Sequence, residues 1–202
     1  MDHILTLPFR LEILGLTFLG WLIIYFFVNR LKVKSQDRLD LGTAFDRKIP
    51  FVPQFALIYF STYIFVVQPF IILSKANQFY WMLASFASIS IIASLIHALV
   101  PSKIERRENL DTGNLSGWLL GQFQKTCKPY GNFPSMHVGL SVPVVAANFL
   151  VGGVGIGSLS LLWAILIALS TLFTKQHYIL DVLAGIFCGI VIFFLTFWLM
   201  LS

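Results

Sequence analysis

Long runs of mostly apolar residues are the feature of this sequence that most restricts its fold. A helix of about 20 residues crosses the hydrocarbon layer of a membrane, and only a helix or a closed barrel satisfies its backbone hydrogen bonds there. Six runs have helical length, and they are Leu11–Val28, Phe51–Leu73, Tyr80–Val100, Val138–Ile156, Ser158–Phe173 and Tyr178–Leu201. The sequence therefore predicts an all-α integral membrane bundle of about six transmembrane helices.

The low share of charged residues leads to the same conclusion. Charged residues make up 11% of the chain and the mean hydropathy is +0.83, whereas a soluble domain carries about 25% charged residues. Too few charges remain to cover a water-exposed surface, so the apolar surplus must face lipid. We predict one transmembrane domain over residues 1–202, with its motif-bearing part at about 95–190. The net charge of +5 indicates basic loops beside anionic headgroups rather than binding of nucleic acid.

Polar clusters lie at the ends of several runs. The third run ends near Val100 and the fourth begins near His137, while the fifth ends near Phe173 and the sixth begins near Tyr178. The glycine-rich stretch 152–157 predicts a tight turn between the fourth and fifth runs. Because successive spans cross in opposite directions, those four ends belong to one membrane face. The clusters expected to meet there are Lys103–Arg107, Phe133–His137 and Lys175–Asp181.

The last two clusters contain groups suited to acid–base and nucleophilic chemistry. His177 and Asp181 are four residues apart at a helix start, so they share one helix face. A carboxylate that accepts one imidazole N–H leaves the other nitrogen with a free lone pair, as a nucleophile or base requires. Pro134 and Ser135 resemble a helix start whose amides bind anions, and His137 is placed to protonate a leaving oxygen. Taken alone, each pattern is also typical of an ordinary helix start or an interfacial polar pair.

The cations complete an inventory for phosphate chemistry. Arginine grips phosphate with two parallel hydrogen bonds and lysine acts as a point charge. Alone, such a cluster is typical of a segment beside the membrane that holds anionic lipid. The cations in question are Lys103, Arg106, Arg107 and Lys175. Together with two histidines, an aspartate and a serine, they supply what phosphoryl transfer needs. His97, within the third run, is interpreted as a structural histidine.

In order and spacing, these segments resemble the three motifs of the type 2 phosphatidic acid phosphatase superfamily. Those motifs are a basic segment ending in Arg-Pro, then Pro-Ser-Gly-His, then Ser-Arg-x5-His-x3-Asp. The matching segments are 101–106, 134–137 and 170–181. This chain departs from them with Arg107 for the proline, Met136 for the glycine and Thr171 for the arginine. Thr-Lys-Gln-His-Tyr together with Phe-Pro-Ser-x-His is similar to the branch that includes inositol phosphorylceramide synthases.

The resemblance implies a role for each candidate residue. His177 would attack phosphorus and become phosphohistidine, Asp181 would orient it, and His137 would protonate the departing oxygen. The implied phosphate-binding residues are Arg106, Ser135, Lys103, Arg107 and Lys175. Lys175 would replace the charge of the arginine lost at Thr171. Neither a metal nor another cofactor is expected.

Four functions stay open on the sequence. The first is a membrane lipid phosphatase that hydrolyses a lipid phosphate monoester or diphosphate. The second is a lipid phosphotransferase that moves a headgroup to an alcohol. The third is a metal site formed by His137, His177 and Asp181, a set of two imidazoles and one carboxylate. The last is a non-enzymatic transporter or lipid-binding scaffold. The sequence indicates neither the particular lipid nor the oligomeric state.

The distribution of basic residues predicts which way the site faces. Six cations outside the motifs lie in the loop on the motif face, and they are Arg30, Lys32, Lys34, Arg38, Arg47 and Lys48. The other face has Arg10 and Lys75. The excess of Lys and Arg in cytoplasmic loops favours a cytoplasmic active site with both termini outside. The resemblance favours the opposite arrangement, because many relatives are thought to act on the outer or lumenal face.

Overall fold

The computed structural model describes residues 3–29, 38–107 and 110–201, and helices dominate it. The elements are helices α1 (Leu7–Asn29), α2 (Ala44–Lys48), α3 (Ala56–Ile72), α4 (Ala76–Leu99), α5 (Leu115–Thr126), α6 (Met136–Phe173) and α7 (Ile179–Leu201), a 3₁₀ turn at Pro53–Phe55, and strands β1 (Leu39–Asp40) and β2 (Ser102–Lys103). Five of the described helices are long and apolar enough to cross a membrane. The prediction of an all-α membrane bundle is confirmed.

Helix α6 accounts for two of the six predicted spans. Gly153 leaves the helical conformation, with φ 64° and ψ −165°. Asn148 Nδ2 donates to Ser160 Oγ at 2.9 Å, although residues 12 apart in a straight helix are separated by about 18 Å. The helix therefore folds back on itself at Gly153, and its two limbs correspond to the fourth and fifth runs. The turn predicted at 152–157 is present.

Close contact between backbones brings α7 against the first limb of α6. A Cβ atom on Gly185 would lie 2.5 Å from the carbonyl oxygen of Ser135, and one on Gly189 would lie 2.6 Å from that of Gly139. Only glycine permits this approach, which is typical of helix pairs in membranes. The Ser135 amide donates to the carbonyl of Asp181 at 2.9 Å. The small residues of α7 thus hold the second and third motifs side by side.

Three short extended stretches form a small cap on the motif face. Strands β1 and β2 pair in parallel, with Leu39 opposite Ser102. Lys103 bridges to Tyr130, and the Ile104 amide donates to Pro129 at 3.1 Å. We call the stretches 38–40, 102–104 and 129–131 the capping sheet. It joins the loop after α1 to the segments before and after α5.

The N-terminal segment lies at the opposite end of the bundle. The Leu5 amide donates to Ser74, and the Ala76 amide donates to His3, each at 2.8 Å. Helix α4 begins at Ala76 on this side, and His97, near its other end, reaches the second motif. The predicted parity therefore holds, with the three motifs on one face and the N-terminal segment on the other.

Candidate active site

Three of the predicted catalytic side chains form one line of contacts. His177 Nδ1 lies 3.4 Å from Asp181 Oδ2, across one helical turn. On the other edge of the same ring, His177 Nε2 lies 3.2 Å from His137 Nδ1. Asp181 Oδ2 also accepts the Tyr178 amide at 2.8 Å, which fixes the carboxylate at the start of α7. His177 and Asp181 are 7% and 1% exposed, so this pair is shielded from water, while His137 is half-buried.

The contacts limit where the protons of the two rings can lie. Since a carboxylate only accepts hydrogen bonds, the 3.4 Å contact with Asp181 favours the tautomer of His177 with its hydrogen on Nδ1, although the contact does not have hydrogen-bond geometry. In that tautomer Nε2 of His177 carries a lone pair, and the facing Nδ1 of His137 is its donor. The contact between His177 and Asp181 lies where the sequence predicts it, and the roles of nucleophile and proton donor stay predictions.

The same arrangement bears on the metal alternative. Asp181 and His137 contact opposite edges of the His177 ring, so one ion cannot be ligated by all three in this geometry. Within residues 3–29, 38–107 and 110–201, no group of three His, Cys, Asp or Glu side chains is placed to hold a metal ion.

Ser135 caps the start of α6 beside the two histidines. Its side chain is buried, and its Oγ has no hydrogen-bond partner among the described residues. The preceding turn is fixed from two sides. His97 Nε2 lies 3.0 Å from the Pro134 carbonyl, which assigns the hydrogen to that nitrogen, and Ser102 Oγ accepts the Asn132 amide at 3.0 Å. A buried hydroxyl without a partner is costly, so Ser135 is a suitable donor to a bound oxyanion.

A cavity of about 110 Å³ lies next to the histidine pair. Both His137 and His177 line it, together with Gln176 and Tyr59. Among the described residues, the cations of its wall are Arg38, Arg106 and Lys128. Arg106 was predicted at such a site, and its Nη1 donates to the Cys127 carbonyl at 2.6 Å.

Two of these cations were missed by the sequence interpretation. The sequence analysis counted Arg38 only among the basic residues of the loop after α1. The sequence around it gives no signal for the pairing of β1 with β2, which brings Arg38 to the cavity. Lys128 had a usable signal, since it is a lysine between Cys127 and Pro129 in the segment directly before the second motif.

The structure places three other predicted phosphate-binding residues away from the cavity wall. Lys175 Nζ donates to the carbonyls of Asp46 and Ile49, at 2.8 and 2.6 Å. Lys103 lies within β2, and Arg107 is exposed. The structure thus brings His137, His177 and Arg106 to the cavity wall and Asp181 to the far edge of His177. Ser135 bonds to Asp181 through its amide but, like Lys103, Arg107 and Lys175, is not a residue of the wall. Phosphate binding by all five predicted residues stays a prediction.

Helix α2 fixes the turn that carries His177. Asp46 Oδ1 accepts the Ile179 amide at 2.8 Å, and Oδ2 accepts the Thr43 hydroxyl at 2.6 Å. Burial raises the pKa of the Asp46 carboxyl, but these hydrogen bonds outweigh it and hold that pKa below its usual value. Burial lowers the pKa of the Lys175 amino group below its usual value. The positive charge of Arg107 lowers this pKa further, and the negative charge of Asp46 raises it only in part. Lys175 itself has a φ of 54°, a conformation found at functional sites that costs about 1–3 kcal/mol.

A second and larger cavity adjoins the first from within the bundle. It measures about 550 Å³, and most of its wall is apolar surface of α1, α3, α4, α5 and α6. Trp21, Phe123, Met136 and His137 are part of both walls. His137 therefore stands between a cation-lined cavity and an apolar one.

The family comparison agrees with the motifs and with the fold. The model of the PAP2 superfamily matches residues 41–195, which include all three motifs. The comparisons with curated proteins and with solved structures found no match. Since the matched region is more than half of the chain and contains the paired histidines, the protein belongs to the PAP2 superfamily.

Proposed function

We propose that this protein is a membrane lipid phosphatase that hydrolyses a lipid phosphate monoester or diphosphate through a phosphohistidine at His177. Members of the superfamily are generally phosphatases or phosphotransferases. The observation that carries the proposal is the position of His177 Nε2, which faces the proton donor His137 beside a cavity lined by three cations.

The first half of the reaction breaks the bond between phosphorus and the lipid oxygen. The lone pair of His177 Nε2 attacks phosphorus, and the departing lipid oxygen takes a proton from His137. Asp181 stabilises the positive charge that the His177 ring acquires. Because His177 Nε2 and His137 Nδ1 are only 3.2 Å apart, the phosphoryl group must enter between these two nitrogens, and the His137 side chain must rotate aside.

The second half returns the enzyme to its starting state. His137 takes a proton from water as that water attacks phosphorus, the P–N bond breaks, and inorganic phosphate leaves. His137 therefore acts first as an acid and then as a base. The Ser135 hydroxyl and the cavity cations hold the phosphoryl oxygens in both halves.

The apolar cavity supports a lipid as the substrate. Its wall contains His137, the residue that protonates the leaving group, so the leaving oxygen and the chain attached to it lie on that side. An apolar chain there adjoins side chains of four membrane helices.

A phosphotransferase is the second candidate, and the position of His137 favours it specifically. The base of the second half faces the apolar cavity as well as the phosphate cavity. A lipid alcohol that enters from the apolar side reaches the same base as water does. The predicted similarity to the inositol phosphorylceramide synthase branch would also imply transfer of a headgroup to an alcohol, and it stays a prediction.

The test is a screen of purified protein in detergent, with a chelator present. The panel holds phosphatidate, phosphatidylglycerol phosphate, polyprenyl diphosphate and a phospholipid headgroup donor paired with a lipid alcohol. Free phosphate and transferred headgroup are scored separately. We expect free phosphate, together with a phosphohistidine that is trapped from labelled substrate.

His177→Ala is the decisive variant. We expect it to abolish both turnover and the trapped phosphohistidine, because His177 Nε2 is the nitrogen to which the mechanism assigns the attack on phosphorus. Full activity in His177→Ala would contradict the mechanism. A wild-type protein that binds lipid phosphate but never becomes phosphorylated would indicate the scaffold or transporter. Activity lost to the chelator and restored by a metal ion would indicate the metal site.

A further inference from the structure

We propose that Arg38 and Lys128, which lie outside all three motifs, complete with Arg106 the site that binds the phosphate. This inference rests on the proposed function, because it takes the cation-lined cavity as the phosphate site. It goes further by assigning the binding charge to side chains that the family pattern does not include.

The capping sheet directs the three cations to one place. Arg38 directly precedes β1, Arg106 follows the stretch 102–104, and Lys128 precedes the stretch 129–131. One of these cations thus lies at, or within two residues of, an end of each stretch, and all three line the cavity with His137 and His177. Chain segments that are far apart in sequence converge here through backbone pairing.

The two arginines are held in position by their surroundings. The Arg38 guanidinium lies 4.0 Å from the centre of the Tyr130 ring, on another stretch of the sheet. Arg106 lies 5.4 Å from the Phe123 ring and donates to Cys127. These contacts restrict where each guanidinium group lies, and a guanidinium has five N–H donors in a fixed planar arrangement. Such an arrangement suits a tetrahedral oxyanion.

The third motif of this chain lacks the positive charge of the family's arginine. Thr171 stands at the arginine position of the family, is fully buried, and donates its hydroxyl to the Ala168 carbonyl at 2.7 Å. Lys175 is bonded to two carbonyls at the end of α2. A phosphate monoester carries nearly two negative charges at neutral pH, and one arginine does not balance them. Arg38 and Lys128 are the further cations in the cavity wall.

Binding of inorganic phosphate tests this without any turnover. The purified full-length chain is unfolded by heat in detergent at increasing phosphate concentration, and the stabilisation gives the dissociation constant. We expect Arg38→Gln and Lys128→Gln each to raise that constant about tenfold or more, equal to about 1.4 kcal/mol. Arg38→Lys keeps the charge and should lose less.

Matched controls come from exposed cations nearby. Arg47 on α2 and Lys125 on α5 are exposed and lie outside the cavity wall, so Arg47→Gln and Lys125→Gln should keep the wild-type constant. Should Arg38→Gln not fold, Lys128→Gln decides alone, since Lys128 is exposed at the cavity mouth.

The outcomes separate this inference from the proposed function. Wild-type phosphate affinity in both test variants overturns the inference, even if lipid phosphate is hydrolysed. No phosphate-dependent stabilisation of the wild type overturns it as well. A phosphate site that depends on Arg38 and Lys128, in a chain that hydrolyses no lipid phosphate, contradicts the proposed function and upholds the inference.

Discussion

The contact between two imidazole rings defines the chemistry at the scale of single residues. His177 receives its orientation from Asp181 on one edge and meets His137 on the other. Since only one hydrogen fits between the two facing nitrogens, the rings cannot both be donors there. Under the proposed function, a phosphoryl group separates the two rings, with a lone pair on one side and a proton on the other.

Replacement of His137 should affect the two halves of the reaction differently. For a lipid phosphate, whose alkoxide leaves poorly, we expect His137→Ala to lower kcat by about 10²–10⁴-fold, the usual contribution of a general acid. An aryl phosphate needs little protonation to leave, so its phosphohistidine should still form and then accumulate, because water lacks its base. Rapid quenching of labelled enzyme measures this. Equal losses on both substrates without accumulation would contradict the assignment.

Whether the sequence predicts a site residue depends on how far apart in the chain the residues lie that position it. The His177–Asp181 pair was predictable because a four-residue spacing places both on one helix face. His137 was predictable from span parity. Arg38 was not, because the pairing of β1 with β2 connects residues more than 60 positions apart through two-residue strands, and such strands carry no periodic signal.

At the scale of elements, α2 and the turn after α6 act as one unit. Lys175 Nζ bonds two carbonyls at the end of α2, and Asp46 bonds the first amide of α7. The lysine was predicted from its charge alone, and its partners were not predictable, because α2 has only five residues and gives no helical pattern of its own.

Loss of the Lys175 charge should therefore affect stability and activity together. We expect Lys175→Ala to lower kcat/KM about tenfold or more and also to lower the melting temperature, since each hydrogen bond from a charged group contributes about 1.5–3 kcal/mol. Lys175→Arg should keep most of the activity. Lys48→Ala, which removes an exposed charge from α2, is the control. An unchanged melting temperature with the same loss of activity would indicate a direct phosphate contact instead.

Two glycines at the fold of α6 should respond to alanine with opposite signs. Gly153 has a positive φ that only glycine adopts easily, whereas Gly155 is helical, and a Cβ atom would meet nothing within 4 Å at either position. Gly153→Ala should lower the free energy of unfolding by about 1–3 kcal/mol. Gly155→Ala should raise it by about 0.5–1 kcal/mol.

Thermal unfolding in detergent measures both variants under the same conditions. A Gly153→Ala protein as stable as wild type would mean that the turn relaxes into another conformation. The glycine-rich stretch was visible in the sequence, but which of its glycines makes the turn was not, because the choice depends on how the two limbs pack, as in the Asn148–Ser160 contact.

At the scale of the whole molecule, the contacts fix which segments share a face, and the direction in the membrane stays a prediction. The capping sheet and α2 join the described part of the loop after α1 to the motifs, so the basic residues of that part lie on the active-site face. Arg30, Lys32 and Lys34, three of the six cations in that count, lie outside the described residues. The bundle itself was predictable because each apolar run must cross the membrane as a helix.

Two labels decide the orientation. The excess of basic residues predicts a cytoplasmic active site and a C-terminus outside. A reporter that works only in the cytoplasm, fused after Ser202, should therefore be inactive. A cysteine at position 35 (Ser35→Cys) should be protected from an impermeant reagent added to intact cells. A working reporter together with external labelling of that cysteine would instead establish the outer or lumenal face.

The apolar cavity beside His137 has a consequence for how the enzyme meets its substrate. Because that cavity lies among membrane helices and adjoins the cation-lined cavity, the proposed function implies that a lipid reaches the histidines by lateral diffusion within the membrane. The encounter is then two-dimensional, and its rate follows the mole fraction of substrate in the bilayer or micelle rather than the bulk concentration. Added detergent lowers the rate by surface dilution alone, even when every protein molecule remains folded.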